Sequence, residues 1–130
     1  MKSFESLKVL LVDDLQELRE DMKKILVQLD IRDVKEAYDG QNGLEVFVSD
    51  QFDLVISDIN MPNINGIEMA KKIRAGGHNK NVPIIICSTE NEKNIIMDAL
   101  LAGGNDYIIK PFDPPTVINK VTEVIKKFYS

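Results

Sequence analysis

The stretch Leu7-Lys8-Val9-Leu10-Leu11-Val12-Asp13-Asp14 decides the fold. It is an apolar run of Leu and Val, too short for a helix, that stops abruptly at two aspartates. Such a run predicts a strand over 7–12 buried on both faces. The period then changes. Leu15, Leu18, Met22, Ile25, Leu26 and Leu29 recur every three or four residues, the spacing of an amphipathic helix. Asp14 is placed to cap that helix, with Glu17 as a capping-box partner.

The same unit repeats outward along the chain. Val34 to Ala37 reads as a weak second strand, Asp39-Gly40 as a turn, and Asn42 to Ser49 as a short helix burying Leu44, Phe47 and Val46. Phe52 to Ile56 is the third strand, and Asp58 follows it. Met61 to Gly66 is a loop, kept from helix by Pro62 and Gly66. Ile67 to Arg74 is helical and stops at Gly76-Gly77. Pro83 to Cys87 is the fourth strand, Asn91 to Ala102 a helix ended by Gly103-Gly104, and Tyr107 to Ile109 the fifth strand. Asp113 to Phe128 is the last helix, with Pro114 and Pro115 in its first turn, where a missing N–H costs little. Five strands alternating with five helices predict an α/β fold with a parallel sheet covered on both faces. Ligands in such sheets bind at the carboxyl ends of the strands.

Composition narrows the class. The 130 residues fit one domain spanning 1–130. Asp and Glu number 21 against 16 Lys and Arg, a net charge of −5, which works against non-specific nucleic-acid binding. One cysteine allows no intrachain disulfide. No apolar run approaches the roughly 18–20 residues of a membrane span, and Met1 to Ser6 has no apolar signal stretch. A cytoplasmic location and no membrane partner are the expectations.

The polar residues fall where the strands end. Strand one ends in Asp13-Asp14, strand three in Asp58, strand four in Ser88-Thr89 and strand five in Lys110. A parallel sheet brings all of these to one edge. Two carboxylates about 4 Å apart repel by roughly 4 kcal/mol at an effective dielectric of 20. A group of three therefore holds protons or a cation. An all-oxygen, acidic, partly open site suits Mg²⁺. An aspartate beside Mg²⁺ and a lysine is also a competent nucleophile towards phosphorus.

These residues carry a resemblance. Asp13-Asp14, Asp58 with Met61-Pro62 and Gly66, Ser88, and Lys110-Pro111-Phe112 resemble, in order and in spacing, the receiver domain of two-component response regulators, especially the stand-alone chemotaxis regulators. The resemblance covers nearly the whole chain and implies a flavodoxin-like fold with strand order 2-1-3-4-5. It implies that Asp58 accepts a phosphoryl group from the phosphohistidine of a sensor histidine kinase or phosphotransfer protein. Asp14 and Asp58 would ligate Mg²⁺ directly, Asp13 through water, and Asn60 through its backbone carbonyl. Lys110 would pair with Asp58 and then with the phosphoryl oxygens, and the Lys110-Pro111 bond would be cis. Ser88, favoured over Thr89 by counting back from Lys110, would bind the phosphoryl group. Tyr107 would move from exposed to buried in the space this vacates. Asn60 and Glu90 would tune dephosphorylation. The implied output face, from the fourth helix to the fifth, holds Ile96, Leu100, Tyr107 and Lys120. It would bind a partner in trans, such as the flagellar motor switch, or support a weak phosphorylation-dependent dimer. The chain would catalyse only its own loading and unloading.

Blander readings stand beside these. Asp14 alone is a helix cap, Lys110 alone a solvated lysine, and Tyr107 a packing residue with its hydroxyl at the surface. Cys87 reads as a small buried residue, His78 as solvent-facing, and Met22, Met69 and Met97 as core. Among rival functions, an aspartyl phosphohydrolase wants a second aspartate where Asn60 stands. A flavin or nucleotide site wants a Gly- or Ser/Thr-rich loop where Asp13-Asp14-Leu15-Gln16-Glu17 stands. A phosphate sink or shuttle, or a receiver fragment of a longer regulator, uses the same residues as a switch.

Overall fold

In the computed structural model, residues 2–130 are described. Met1, part of the segment read for a signal stretch, lies outside them. A 3₁₀ turn at Phe4–Ser6, which carries no sequence signal, leads into β1 (Lys8–Val12). Then follow α1 (Gln16–Val27), β2 (Asp33–Ala37), α2 (Gly40–Val48), β3 (Leu54–Ser57), α3 (Gly66–Ala75), β4 (Ile84–Ser88), α4 (Lys93–Leu101), β5 (Asp106–Ile109) and α5 (Pro114–Tyr129). All pairings are parallel. The strand order is β2-β1-β3-β4-β5, the order that the resemblance implies.

Strand side chains alternate between two cores, as the period of two requires. Val9, Leu11, Leu54, Ile56, Ile85, Cys87 and Ile108 pack with Met22, Ile25 and Leu26 of α1 and Val117, Val121, Val124 and Ile125 of α5. Leu10, Val12, Val55, Ile84 and Ile86 face the other way, onto Phe47 of α2, Met69, Ala70 and Ile73 of α3, and Ala99 of α4. Because both faces are covered, the central strands are continuous apolar runs. Burying one such Leu or Ile contributes roughly 1.5–3 kcal/mol. β2, at the edge, alternates and is the most polar strand.

Several local expectations are corrected. Asp14 does not cap α1. The N-cap residue is Leu15, whose backbone N–H donates to Asp13 Oδ1 at 2.9 Å, so the aspartate before Asp14 supports the helix entry. Leu15 itself is 55% exposed and leaves the apolar face. Gly40 and Gly66, read as turn and loop residues, are the first residues of α2 and α3. Met97 is exposed on the outer face of α4. His78 is half-buried, edge-on to Phe47 at 5.6 Å, with Nε2 2.8 Å from the Asp50 carbonyl oxygen.

Arg74 ties two loops together without a carboxylate. Its guanidinium donates to the carbonyls of Lys80, Val82 and Gly103 at 2.6–2.7 Å and to Asn105 Oδ1 at 3.0 Å. These bonds hold the end of α3 against the turn between α4 and β5. Among the described residues no helix is long and apolar enough to cross a membrane.

Candidate functional site

Strand register creates the site. Val12 pairs with Ala37 and with Ser57, Ser57 with Ile86, and Ser88 with Ile109. One step beyond, the ladder continues through single bonds: Asp13 N to Ala37 O at 3.1 Å, Asp58 N to Val12 O at 3.0 Å, and Lys110 N to Ser88 O at 2.8 Å. Each polar residue therefore leaves its strand at the same level. Carboxylate oxygens of Asp13, Asp14 and Asp58 lie within 4.8 Å of one another.

Lys110 reaches into this group. Its Nζ donates to Asp13 Oδ2 at 2.6 Å and to Asp58 Oδ2 at 3.2 Å. All three residues are at least nine-tenths buried. The expected bond to Asp58 is present, and a shorter one goes to Asp13. Asp13 thus has both oxygens engaged, one by Lys110 and one by the Leu15 amide. Asp58 Oδ1 accepts from the Ile59 amide at 2.7 Å. The cluster keeps three carboxylates against one ammonium.

The electrostatics follow from that imbalance. The Asp14 carboxyl is pushed above its usual range, first by desolvation and then by the neighbouring Asp13 and Asp58 charges. Burial works against the Lys110 charge, yet its bond to Asp13 and the Asp58 and Asp13 charges carry its pKa above that of a free lysine. Nearby, burial pushes the Cys87 thiol up to about 12, which fits the inert core residue expected. The donor set fits a hard divalent cation: all oxygen, net negative, and open on the side of exposed Asp14. Asp14, Asp58 and Asp13 are the residues able to hold Mg²⁺.

The remaining sequence-derived residues surround this centre. Ser88 is fully buried, and its Oγ accepts from the Glu90 amide at a long 3.3 Å, while Thr89 is exposed. Asn60 Nδ2 donates to Glu90 Oε1 at 3.0 Å, bridging the loops after β3 and β4. Tyr107 is only 8% exposed, so it is not the exposed output contact expected of a resting state. Its hydroxyl donates to the Glu90 carbonyl at 2.6 Å. Burial raises the Tyr107 pKa. Of the other output residues, Ile96 is half-buried, Leu100 is exposed, and Lys120 pairs with Asp106 at 2.9 Å. The Lys110-Pro111 bond is cis.

The family model for the response regulator receiver domain matches residues 9–122. The chain belongs to that family. This receiver domain is 34% identical over 122 residues to the chemotaxis protein CheY-3 of Vibrio cholerae, covering 94% of each chain. The solved structure of Vibrio cholerae CheY4 superposes with a TM-score of 0.84 at 31% identity, over 91% of this chain and 98% of that one. The receiver domain of a sensor histidine kinase from Pseudomonas aeruginosa, solved with magnesium in its active-site cleft, matches at a TM-score of 0.83 and 26% identity. That match covers 92% of this chain and 98% of the other.

Sequence reasoning missed two contacts that shape the receiver site. A Cβ on Gly66 would lie 1.9 Å from the Asp58 carbonyl oxygen, and one on Gly40 would lie 2.0 Å from that of Ile64. Only glycine lets α3 and α2 approach the loop after Asp58 so closely. Both glycines were visible in the sequence, but each has a partner that only the tertiary structure reveals.

Proposed function

We propose that this receiver domain is a phosphorylation-operated switch loaded at Asp58. The observation that carries the reading is the cluster of buried Asp13 and Asp58 with exposed Asp14 beside them and Lys110 bonded to the two buried acids. An Asp58 carboxylate oxygen attacks the phosphorus of a phosphohistidine on a sensor histidine kinase or phosphotransfer protein. The P–O bond forms, the P–N bond breaks, and the imidazole leaves with the electron pair and takes a proton. Asp14 and Asp58 would hold Mg²⁺ directly, with the Asn60 carbonyl as a further ligand. Asp13, whose oxygens already accept from Leu15 and Lys110, would act on it through water. When bound, Mg²⁺ supplies positive charge against the equatorial phosphoryl oxygens. Lys110 leaves Asp58 for those oxygens while keeping its bond to Asp13. The chain catalyses only its own loading and unloading: Asn60 stands where an aspartyl phosphohydrolase would place its acid/base.

The switch follows from the phosphoryl group's charge of about −1.5 to −2 and its three acceptors. Ser88, whose Oγ accepts a long bond from the Glu90 amide, turns to donate to it. That movement draws on the Glu90 loop, which carries the Tyr107 bond. Going from mostly off to mostly on takes about 5.5 kcal/mol of preference for one state. The output leaves through α4, β5 and α5, where Met97, Leu100 and Leu101 are exposed beside Ile96, Tyr107 and Lys120. The likeness to CheY proteins supports a chemotaxis partner bound in trans, the flagellar motor switch. The likeness to a histidine kinase's receiver favours a second reading, a phosphate relay or sink, or the receiver portion of a longer regulator.

The test is phosphorylation with acetyl phosphate and Mg²⁺, with Asp58→Asn as control, then partner capture from both states. Wild type that takes up neither a phosphoryl group nor beryllofluoride refutes the switch. Uptake without any phosphorylation-dependent partner favours the sink.

A further inference from the structure

The loop after Asp58 is held from the α2 side by a residue that the chemistry above does not use. Asp39 is 4% exposed and commits one carboxylate oxygen to each of two tasks. Oδ1 accepts from the Asn42 amide at 2.7 Å and caps α2. Oδ2 accepts from the side-chain amide of Asn63 at 2.7 Å, 24 residues away. Asn63 has φ of 67°, in the left-handed region, which asparagine tolerates better than other residues with a Cβ. The next residue on each side repeats the contact, since Gly40 lies directly against the Ile64 carbonyl. A helix cap alone requires neither Asn63 nor Gly40. The same loop contains Asn60, three residues before Asn63, whose carbonyl is the further metal ligand proposed above.

We propose that Asp39 is a positioning residue for the phosphoacceptor loop. Through Asn63 it fixes the backbone between Ile59 and Asn65, and so fixes where the Asn60 carbonyl stands relative to Asp14 and Asp58. It touches neither the metal nor the phosphoryl group. A buried carboxylate suits the task because a charge-assisted hydrogen bond is stronger than a neutral one. The proposal rests on reading the acidic cluster as a Mg²⁺ site.

Two variants separate positioning from capping. Asn63→Gly keeps the left-handed backbone and the α2 cap but removes the amide. Asp39→Ser keeps a capping oxygen and has no second one for Asn63. Mg²⁺ binding is measured by calorimetry without any phosphoryl donor, and hydrogen exchange is followed at the amides of residues 59–61 and 63–66. Loss of an outer-shell partner weakens metal binding by roughly 10–100-fold. Each variant is expected to bind Mg²⁺ about 10-fold more weakly and to exchange faster across the loop. The double variant is expected to be no worse than either single one, because both cut the same bond. Phosphoryl uptake then shifts to higher Mg²⁺ and recovers the wild-type rate at saturation. Wild-type affinity and loop protection in Asn63→Gly would overturn the proposal, leaving Asp39 a cap and nothing more. Losses that add in the double variant would also overturn it. Wild type binding no Mg²⁺ would overturn the metal reading itself, and this proposal with it.

Discussion

Replacing Gly66 by alanine sets two effects of opposite sign against each other. Alanine is the better helix former by about 1 kcal/mol in a helix interior, and Gly66 opens α3. A local view therefore predicts stabilisation. The tertiary contact predicts the reverse. The added Cβ would lie 1.9 Å from the Asp58 carbonyl oxygen and 3.1 Å from the Ile59 Cα, where real Cβ atoms keep beyond 3.0 Å. Two backbones must part by about 1 Å, and no flexible side chain can absorb it. Overpacking of this kind costs roughly 1–3 kcal/mol. The propensity gain is smaller at the first helical position than in the interior, so the net expectation is a loss of about 1–2 kcal/mol. Chemistry suffers more, because the peptide pushed away carries Asp58, and a 1 Å misplacement can cost about 100-fold in rate. Gly77→Ala is the control, since nothing lies within 4 Å of its Cβ position. Urea unfolding followed by circular dichroism suits a chain without tryptophan, and uptake from acetyl phosphate reads the site. Wild-type uptake in Gly66→Ala, with an unchanged or raised urea midpoint, would refute the close-approach argument.

Other expectations can be checked in the same experiments. Lys110→Met strands two buried carboxylates and, in EDTA, is expected to lower unfolding free energy by about 3–5 kcal/mol; part of the loss should return with Mg²⁺, as urea titrations with and without the ion will report. Asp14→Asn should be more stable than wild type at pH 7 without metal, because the folded state raises the Asp14 pKa and so disfavours its charged form. That advantage should shrink as pH falls through the raised folded value, vanish below the unfolded value near 4, and be masked by Mg²⁺ at neutral pH; thermal melts across pH 3–7 measure it. With its thiol at about 12, Cys87 is almost wholly protonated at pH 8, so iodoacetamide should label the native protein on the order of 10³-fold more slowly than the urea-unfolded one.

What the sequence made legible was governed by local rules. The strands could be read because covering both sheet faces demands unbroken apolar runs, here Val9 to Val12 and Ile84 to Cys87. The helices could be read from their spacing, and the convergence of Asp13, Asp14, Asp58, Ser88 and Lys110 followed from parallel strands ending at one edge. What stayed hidden was decided by partners far along the chain. Gly66 and Gly40 look like turn residues until Asp58 and Ile64 are placed against them. Asp39 looks like the first half of a turn until Asn63 arrives. Lys110 could be assigned to the acidic edge, but its closer bond to Asp13 depends on side-chain geometry. Tyr107 shows the same limit: its strand position was clear, and its bond to the Glu90 carbonyl was not.

The Lys110–Asp13 bond joins residues 97 positions apart. A ribosome making this chain exposes all three aspartates well before the lysine that balances them. Contacts this distant form late, since their loop-closure cost must be met before they are rewarded. An incomplete or partly unfolded chain therefore carries the acids without their ammonium and offers a phosphoryl group only repulsion. On the reading proposed above, competence to accept a phosphoryl group arrives only with the last strand, when Lys110 reaches Asp13 and Asp58.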